Sequence, residues 1–122
     1  MRLLITATAA LMMTAPVFAG SHETGYMAAE LMQTCQDADN DARGGAAAET
    51  ECEQYLLGFV EALAVTGMAG SGTEICPPEV NVADEIRWAY IRWIYGDFSA
   101  RKALPAADAV LGTLKDSFAC SG

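Results

Sequence analysis

The chain has 122 residues and is acidic, with 16 Asp and Glu against seven Lys and Arg, for a net charge of −9 at neutral pH. This charge argues against nucleic acid and anionic membrane surfaces as partners, because both would repel the protein. It is compatible with a basic protein partner or with solubility alone, and the length suits one domain.

The first 19 residues predict a secretory signal peptide. Arg2 supplies a positive charge, an apolar run follows at 3–13, and the sequence VFA at 17–19 suits a signal peptidase. The apolar run falls short of the roughly 20 residues that span a bilayer, which disfavours a membrane anchor. Removing 19 of the 122 residues leaves 103, starting near Gly20, and changes the charge from −9 to −10 because Arg2 is lost. We therefore expect one domain over 20–122, exported to an oxidising compartment and not inserted in the membrane after cleavage.

Four cysteines, Cys35, Cys52, Cys76 and Cys120, remain after this predicted cleavage. An even number of cysteines in a small exported domain predicts two disulfides, with three possible pairings. A zinc site is the competing interpretation, but it needs close cysteine pairs, and the single histidine, His22, lies beside the cleavage site. We therefore expect disulfides, with no metal and no cofactor.

The first predicted helix covers Tyr26 to Gln36, where apolar residues recur at spacings of three and four. The following stretch, DADNDARGG at 37–45, has the composition of an exposed connection. A calcium loop at Asp37, Asp39 and Asp41 is the alternative. It is disfavoured because the glycine and the closing glutamate of an EF-hand are not at their positions.

The second predicted helix covers 49–66 and has the strongest helical periodicity in the chain. Its apolar stripe consists of Cys52, Tyr55, Leu56, Phe59, Val60 and Leu63. Gly58 and Ala62 flank this stripe, and we expect their small side chains to let another helix approach closely.

Three glycines between 67 and 72 end this helix and lead to Cys76, which two prolines follow. Asn81 then predicts an N-cap, with Asp84 three residues on to interact with the exposed amides and the helix dipole. The third helix should cover 82–95. Pro105 suits the first position of a last helix, whose apolar residues are Val110, Leu111, Leu114 and Phe118. The pattern predicts a compact, all-α, four-helix domain.

The third predicted helix has apolar residues on two faces. One face carries Ile86, Ala89, Tyr90, Trp93 and Ile94, which suffices for packing. Trp88, Ile91 and Tyr95 fall on nearly the opposite face and predict a homodimer interface, because a small bundle has one interior. Arg87 and Arg92 at the margins would meet Asp84 or Glu85 of a second copy. The alternative is that the loop at 97–104 or the N-terminal tail covers this face.

An up-and-down helix order selects one disulfide pairing. The end of helix one and the start of helix two meet at one end of such a bundle, which brings Cys35 to Cys52. The segment entering helix three and the end of helix four meet at the other end, which brings Cys76 to Cys120.

The sequence contains no catalytic constellation. A serine or cysteine hydrolase needs a nucleophile beside a positioned base, whereas this chain has one terminal histidine and four cysteines predicted to be oxidised. The glycines at 67–72 neither follow a strand nor carry the lysine of a phosphate-binding loop. We therefore expect a protein that is not an enzyme.

Four segments in order, ELMQTC, CEQYLLGFVEAL, ICPPEVNVADEI and SFAC, resemble the Rap/Tai family of periplasmic immunity proteins, which act against type VI secretion amidases. The family's recurrent features correspond to Cys52, Tyr55, Gly58, Ile75, Cys76, Pro77 and Pro78. The chain departs from the family where prolines are frequent, at Asp97-Phe98 and at Ala119-Cys120.

The resemblance implies a non-catalytic inhibitor that binds and occludes a peptidoglycan amidase toxin, often as a homodimer with toxins at its ends. The rival interpretation is a small periplasmic chaperone of the acid-stress type, which would expose apolar surface on acidification. The second disulfide and the strongly specified core favour a stable binding protein.

We expect the toxin contacts in two loops outside the core, at 67–74 and 96–102. The glycines of the first loop would let its backbone enter a cleft. In the second, Asp97, Phe98 and Arg101 offer an aromatic anchor beside charges. The alternative is that both loops are mere connections.

Overall fold

The computed structural model describes residues 25–121, which form helices joined by loops with isolated β-bridges. The helices are α1 (Ala28–Asp37), a 3-10 helix (Asp41–Arg43), α2 (Gly45–Val65), α3 (Val82–Gly96), α4 (Phe98–Arg101) and α5 (Ala106–Ser117). Because α4 is a single turn, this arrangement confirms the predicted all-α fold with four main helices. The predicted signal peptide at 1–19, the predicted start at Gly20 and His22 lie outside the described residues. Within those residues, no helix is long and apolar enough to cross a membrane.

Side chains from α1, α2, α3 and α5 form one core. The largest fully buried apolar side chains are Leu31, Leu56, Ile75, Ile86, Tyr90, Ile94, Val110 and Leu114. Burying an aliphatic side chain of this size contributes about 1.5–3 kcal/mol, so these residues dominate the favourable side of folding. The buried Tyr90 hydroxyl donates to the Ala28 carbonyl at 2.9 Å, which joins α3 to the start of α1 without an unsatisfied polar group.

The starts of α1 and α5 are held together by backbone hydrogen bonds. The Ala106 amide donates to the Tyr26 carbonyl, and the Ala28 amide donates to the Leu104 carbonyl, each at 2.8 Å. Pro105 lies between these two bonds in an extended conformation, directly before the first residue of α5. It therefore stands one residue earlier than predicted, where its missing amide hydrogen still costs no bond.

Helix α2 begins earlier than the predicted residue 49. Gly44 has φ +77°, and the helix starts at Gly45, so the alanines at 46–48 are already helical. Alanine has the highest helix propensity, which explains the added turn. A Cβ on Gly45 would lie 3.1 Å from the Asn40 backbone, so this close approach favours glycine.

Two disulfides join the helices, with the pairing expected from the antiparallel order. Cys35 in α1 bonds Cys52 in α2, and both residues are fully buried. Cys76, before α3, bonds Cys120, after α5, and both are partly exposed. The two bridges therefore lie in different surroundings, one inside the core and one near the surface.

The expectation that Gly58 and Ala62 contact another helix is wrong within the described residues. Both are exposed, and nothing in residues 25–121 lies within 4 Å of a Cβ placed on Gly58. The disulfide between Cys35 and Cys52 turns one face of α2 toward α1, and it leaves the two small residues facing outward. Periodicity identified the inward stripe, but it could not tell which of its two flanks would be covered.

Asn81 precedes α3 as predicted, but it does so without capping it through its side chain. Its φ of +50° is left-handed, and its carbonyl accepts from the Glu85 amide at 2.9 Å, while its side chain makes no capping bond. Asp84 accepts instead from the Arg87 guanidinium. The acidic connection at 37–45 contains a turn and the 3-10 helix, and no group of three or more potential metal ligands forms among residues 25–121.

Candidate protein-binding surfaces

An exposed row of aromatic rings follows α3 into α4. Trp88, Tyr95 and Phe98 are 47%, 55% and 39% exposed, and we call these three residues the aromatic ridge. Trp88 and Tyr95 lie two helical turns apart on α3. The ring of Tyr95 stacks on that of Phe98, with centroids 5.9 Å apart and planes at 20°. The predicted dimer face and the predicted toxin-binding segment therefore share a border.

Ile91 does not belong to this surface, which corrects the predicted dimer face. It is 9% exposed and part of the hydrophobic core. Arg87 and Tyr95 stand four residues on either side of it; Tyr95 contacts the last turn of α1, and Arg87 contacts the turn that follows α1. The Gln36 amide donates to the Tyr95 hydroxyl at 2.9 Å, and the Arg87 guanidinium lies 3.3 Å from an Asp39 carboxylate oxygen. Because of these two contacts, the end of α1 lies over the middle of α3 and covers Ile91.

Arg87 is held inside its own chain, which corrects its predicted place at the margin of a dimer. The residue is 5% exposed, and its guanidinium pairs with Asp84 at 2.9 Å and with Asp39. Its charged group also lies 5.0 Å from the centroid of the Trp88 ring. Arg87 therefore supports Trp88 from beneath, and Arg92 is the exposed arginine beside the ridge.

The segment at 96–102 is folded around α4. The Asp97 carboxylate accepts from the Ala100 amide at 3.4 Å. The Arg101 guanidinium lies 3.9 Å from the centroid of the Trp93 ring and donates to the Trp93 carbonyl, so it clamps α4 onto α3. The Lys102 ammonium lies 5.3 Å from the Phe98 ring. Of the predicted toxin-binding trio Asp97, Phe98 and Arg101, Phe98 presents an exposed ring, and the other two shape the turn that carries it.

The glycine loop at 67–74 has a fixed shape. Gly67, Gly70 and Gly72 have φ of +74°, +120° and +84°, values that side chains disfavour. The Thr73 hydroxyl contacts the Gly70 and Ile75 carbonyl oxygens at 2.9 and 3.0 Å, and the Gly70 amide donates to the Ile75 carbonyl at 2.7 Å. The loop is thus preorganised by its own hydrogen bonds.

Two large apolar side chains stand exposed beside the glycine loop. Val65, at the end of α2, is 88% exposed, and Met68, within the loop, is 53% exposed. Neither residue stands out in the sequence, because Val65 continues an apolar helix and Met68 follows its end. Exposed apolar groups on a preorganised loop suit a protein contact.

The two predicted toxin-binding loops lie at opposite ends of α5. The Ala29 amide donates to the Lys102 carbonyl near the start of α5, whereas the Cys120 amide donates to the Glu74 carbonyl past its end. Twelve residues of α5 separate these points, or about 18 Å at 1.5 Å per residue. The structure therefore does not bring the two loops together, and they form two separate surfaces.

Two tyrosines with raised pKa values, Tyr26 and Tyr90, stabilise the packing of the helices. Burial raises the pKa of Tyr26 to about 12; its hydrogen bond with Thr34 opposes the rise, and its bond to Glu51 adds to it. The Tyr26 hydroxyl donates to the Glu51 carboxylate at 2.7 Å. Burial likewise raises the pKa of Tyr90. Both phenols stay protonated at neutral pH and act as hydrogen-bond donors between helices.

One known protein family matches nearly all of the described chain. A family model for Rap1a immunity proteins matches residues 27–120. This chain belongs to the Rap1a immunity protein family. The matched range covers every helix of the structure and both disulfides. No curated protein and no solved structure matches the chain. Membership in the family indicates a protein that gives immunity against a toxin by binding it.

Proposed function

We propose that this Rap1a family protein is a periplasmic, non-catalytic inhibitor that occludes a peptidoglycan amidase toxin delivered by type VI secretion. The observation that carries this proposal is the family match over residues 27–120. The predicted signal peptide supports the periplasm, where peptidoglycan is cleaved. The buried disulfide between Cys35 and Cys52 supports an oxidising compartment.

We propose that the toxin contacts Phe98 on one side of the molecule and the glycine loop on the other. Phe98 is a rigid aromatic ring, stacked on Tyr95 and carried on a turn that Arg101 clamps to Trp93. Such anchors lose little conformational entropy on binding and often dominate interface energies. The glycine loop presents backbone that glycines leave uncovered, together with the exposed side chain of Met68.

A pull-down from a periplasmic extract of the producing cell tests the proposed toxin. The bait is the chain without residues 1–19, and we expect an exported amidase to be retained by it. Phe98→Ala should lower retention, whereas Gln54→Ala, which shortens an exposed side chain in the middle of α2, away from both proposed contacts, should not. Retention of a set of unrelated unfolded proteins at low pH would instead identify the chaperone.

We propose that Trp88 and Tyr95 join two copies of the chain. In a closed dimer the same stretch of α3 from each copy meets across a two-fold axis, and Trp88 would lie at its centre. Arg92 would then approach Asp84 or Glu85 of the second copy, which adds little affinity because these charges are exposed.

The dimer makes a prediction that requires no toxin. Light scattering of the purified chain should give the mass of two copies, and Trp88→Glu or Tyr95→Glu should give the mass of one, because each places a carboxylate in an apolar contact. Val65→Glu is the matched control on α2 and should leave the dimer intact. A wild-type chain that stays monomeric at high micromolar concentration contradicts the proposed interface.

A further inference from the structure

The bond between Cys76 and Cys120 lies at the surface beside the glycine loop, and its position differs from that of the other disulfide. Cys120 lines a surface cleft of about 420 Å³ together with Glu74, Lys115 and Ala119. Cys76 and Cys120 are both partly exposed, whereas Cys35 and Cys52 have no exposed surface. A reductant can therefore reach one bridge in the folded protein but not the other.

This outer disulfide holds the glycine loop against the end of the chain. The Cys76 amide donates to the Phe118 carbonyl at 2.8 Å, and the Cys120 amide donates to the Glu74 carbonyl at 3.0 Å. The Gly70 carbonyl oxygen lies 3.7 and 3.6 Å from the sulfurs of Cys76 and Cys120. The loop, the bridge and the residues after α5 thus form one small unit.

The charges around the cleft balance each other. The Lys115 ammonium pairs with the Glu74 carboxylate at 3.5 Å, and both groups are well exposed. Because one cation and one carboxylate line the cleft, their charges offset each other, and access of an attacking thiolate to Cys120 decides which bridge is reduced. The bond at Cys35 and Cys52 lacks such access, because both residues are enclosed in the core.

We propose that the Cys76–Cys120 disulfide is a redox-controlled restraint on the glycine loop, opened in the folded protein by a dithiol reductant while Cys35–Cys52 stays oxidised. This proposal rests on the proposed function, since it regulates the loop assigned to the toxin. The reductant's first thiolate attacks the Cys120 sulfur and forms a mixed disulfide. The electrons of the broken bond go to the Cys76 sulfur, which leaves as a thiolate and takes up a proton.

The reductant's second thiolate then resolves the mixed disulfide. It releases Cys120 as a thiolate, which also takes up a proton, and the reductant leaves as a disulfide. The protein gains two electrons and two protons in total. The backbone bonds at Cys76 and Cys120 then lack their covalent support, so the loop opens locally while the core persists.

The test follows both disulfides in one sample without any partner. The oxidised chain is incubated with graded dithiothreitol, its thiols are alkylated, and labelled peptides are quantified by mass spectrometry. Cys76 and Cys120 should be labelled at least about a hundredfold faster than Cys35 and Cys52, whose exposure requires global unfolding. Labelling of all four cysteines at one common rate would overturn the proposal.

Hydrogen exchange measures what the reduction releases. In the partly reduced chain, and in the Cys76→Ser/Cys120→Ser variant, the amides at 67–76 should exchange faster, and those of α1 and α2 should not. If the variant folds poorly, hydrogen exchange in the partly reduced wild-type chain alone decides the test. Unchanged exchange at 67–76 after complete labelling of Cys76 and Cys120 also overturns the proposal.

Toxin binding separates this proposal from the function on which it rests. The reduced form should bind the amidase about tenfold more weakly, because a loosened loop must be ordered on binding. An oxidised chain that does not bind any amidase defeats the proposed function, while the labelling and exchange results still decide whether the loop is under redox control. If the oxidised and the reduced chain bind the amidase with equal affinity, the disulfide does not regulate toxin binding through the glycine loop.

Discussion

At the scale of single residues, Arg87 is a buried cation whose charge is balanced by two carboxylates of the same chain. Its side chain is 6% exposed, its Nε has no hydrogen-bond partner in the described part of the chain, and its Nη1 lies 3.3 Å from Asp39 without hydrogen-bond geometry. Asp84 and Asp39 balance its charge, although both carboxylates are more than half exposed. Removing a buried ion's counter-charges costs more than the pair itself contributes, because an uncompensated charge stays behind.

The double substitution Asp39→Asn/Asp84→Asn should therefore lower the free energy of unfolding by about 1–3 kcal/mol, a value reduced for the exposure of the carboxylates. Urea denaturation at neutral pH measures it. Glu61→Gln, which removes an exposed charge on α2, is the control and should change little. A double variant as stable as the control would show that Arg87 does not depend on these partners.

The buried tyrosines predict how stability changes at alkaline pH. The pKa of Tyr26 is about 12 in the folded protein and about 10 when unfolded. The unfolded chain therefore loses this proton first as pH rises. The contribution of Tyr26 is complete below pH 10 and is lost progressively between pH 10 and 12.

We expect the urea midpoint of the wild-type chain to fall between pH 10 and 12, with Tyr90 acting in the same direction. Tyr26→Phe, which cannot ionise, should show a shallower fall over this range. For each protein, the urea midpoint at pH 8 should equal its midpoint at pH 9. A Tyr26→Phe variant with the same alkaline slope as the wild type would contradict the assignment.

At the scale of elements, the glycines of α2 and of the following loop have opposite roles. Gly58 lies inside α2 with open space around it, whereas Gly70 has φ +120° in the loop. Alanine is the better helix former, but it cannot readily adopt the conformation of Gly70. One substitution should therefore act differently at the two sites.

Gly58→Ala should raise the free energy of unfolding by about 1 kcal/mol. Gly70→Ala should lower it by about 1 kcal/mol or more. Thermal denaturation of the two variants provides the comparison, and each serves as the control for the other. A stabilising Gly70→Ala would contradict the strained shape of the loop.

The order of the helices was predictable from sequence, and contacts between helices were predictable only in part. The disulfide pairing followed because antiparallel order fixes which ends meet. Ile91 was assigned to the surface because a helical wheel does not show that the end of α1 crosses α3 there. The stacking of Tyr95 on Phe98 was missed because α4 is a single turn after a helix end, too short for periodicity to reveal.

At the scale of the whole molecule, the core, the ridge and the glycine loop occupy separate places in the fold. The buried disulfide at Cys35 and Cys52 and the apolar core make a rigid frame. The aromatic ridge lies on α3 and α4, and the glycine loop lies past the other end of α5. A rigid frame with exposed, preorganised contacts suits an inhibitor, because little flexibility is lost on binding.

Inhibition of the proposed amidase target by this chain tests that account most directly. The chain without residues 1–19 is titrated into the toxin, and release of peptides from purified peptidoglycan is measured. We predict a stoichiometric loss of amidase activity, with Phe98→Ala weakening inhibition by at least about tenfold and Gln54→Ala, on the exposed side of α2, leaving it unchanged. An amidase that is bound but remains fully active at a saturating concentration of the chain would contradict occlusion of the toxin.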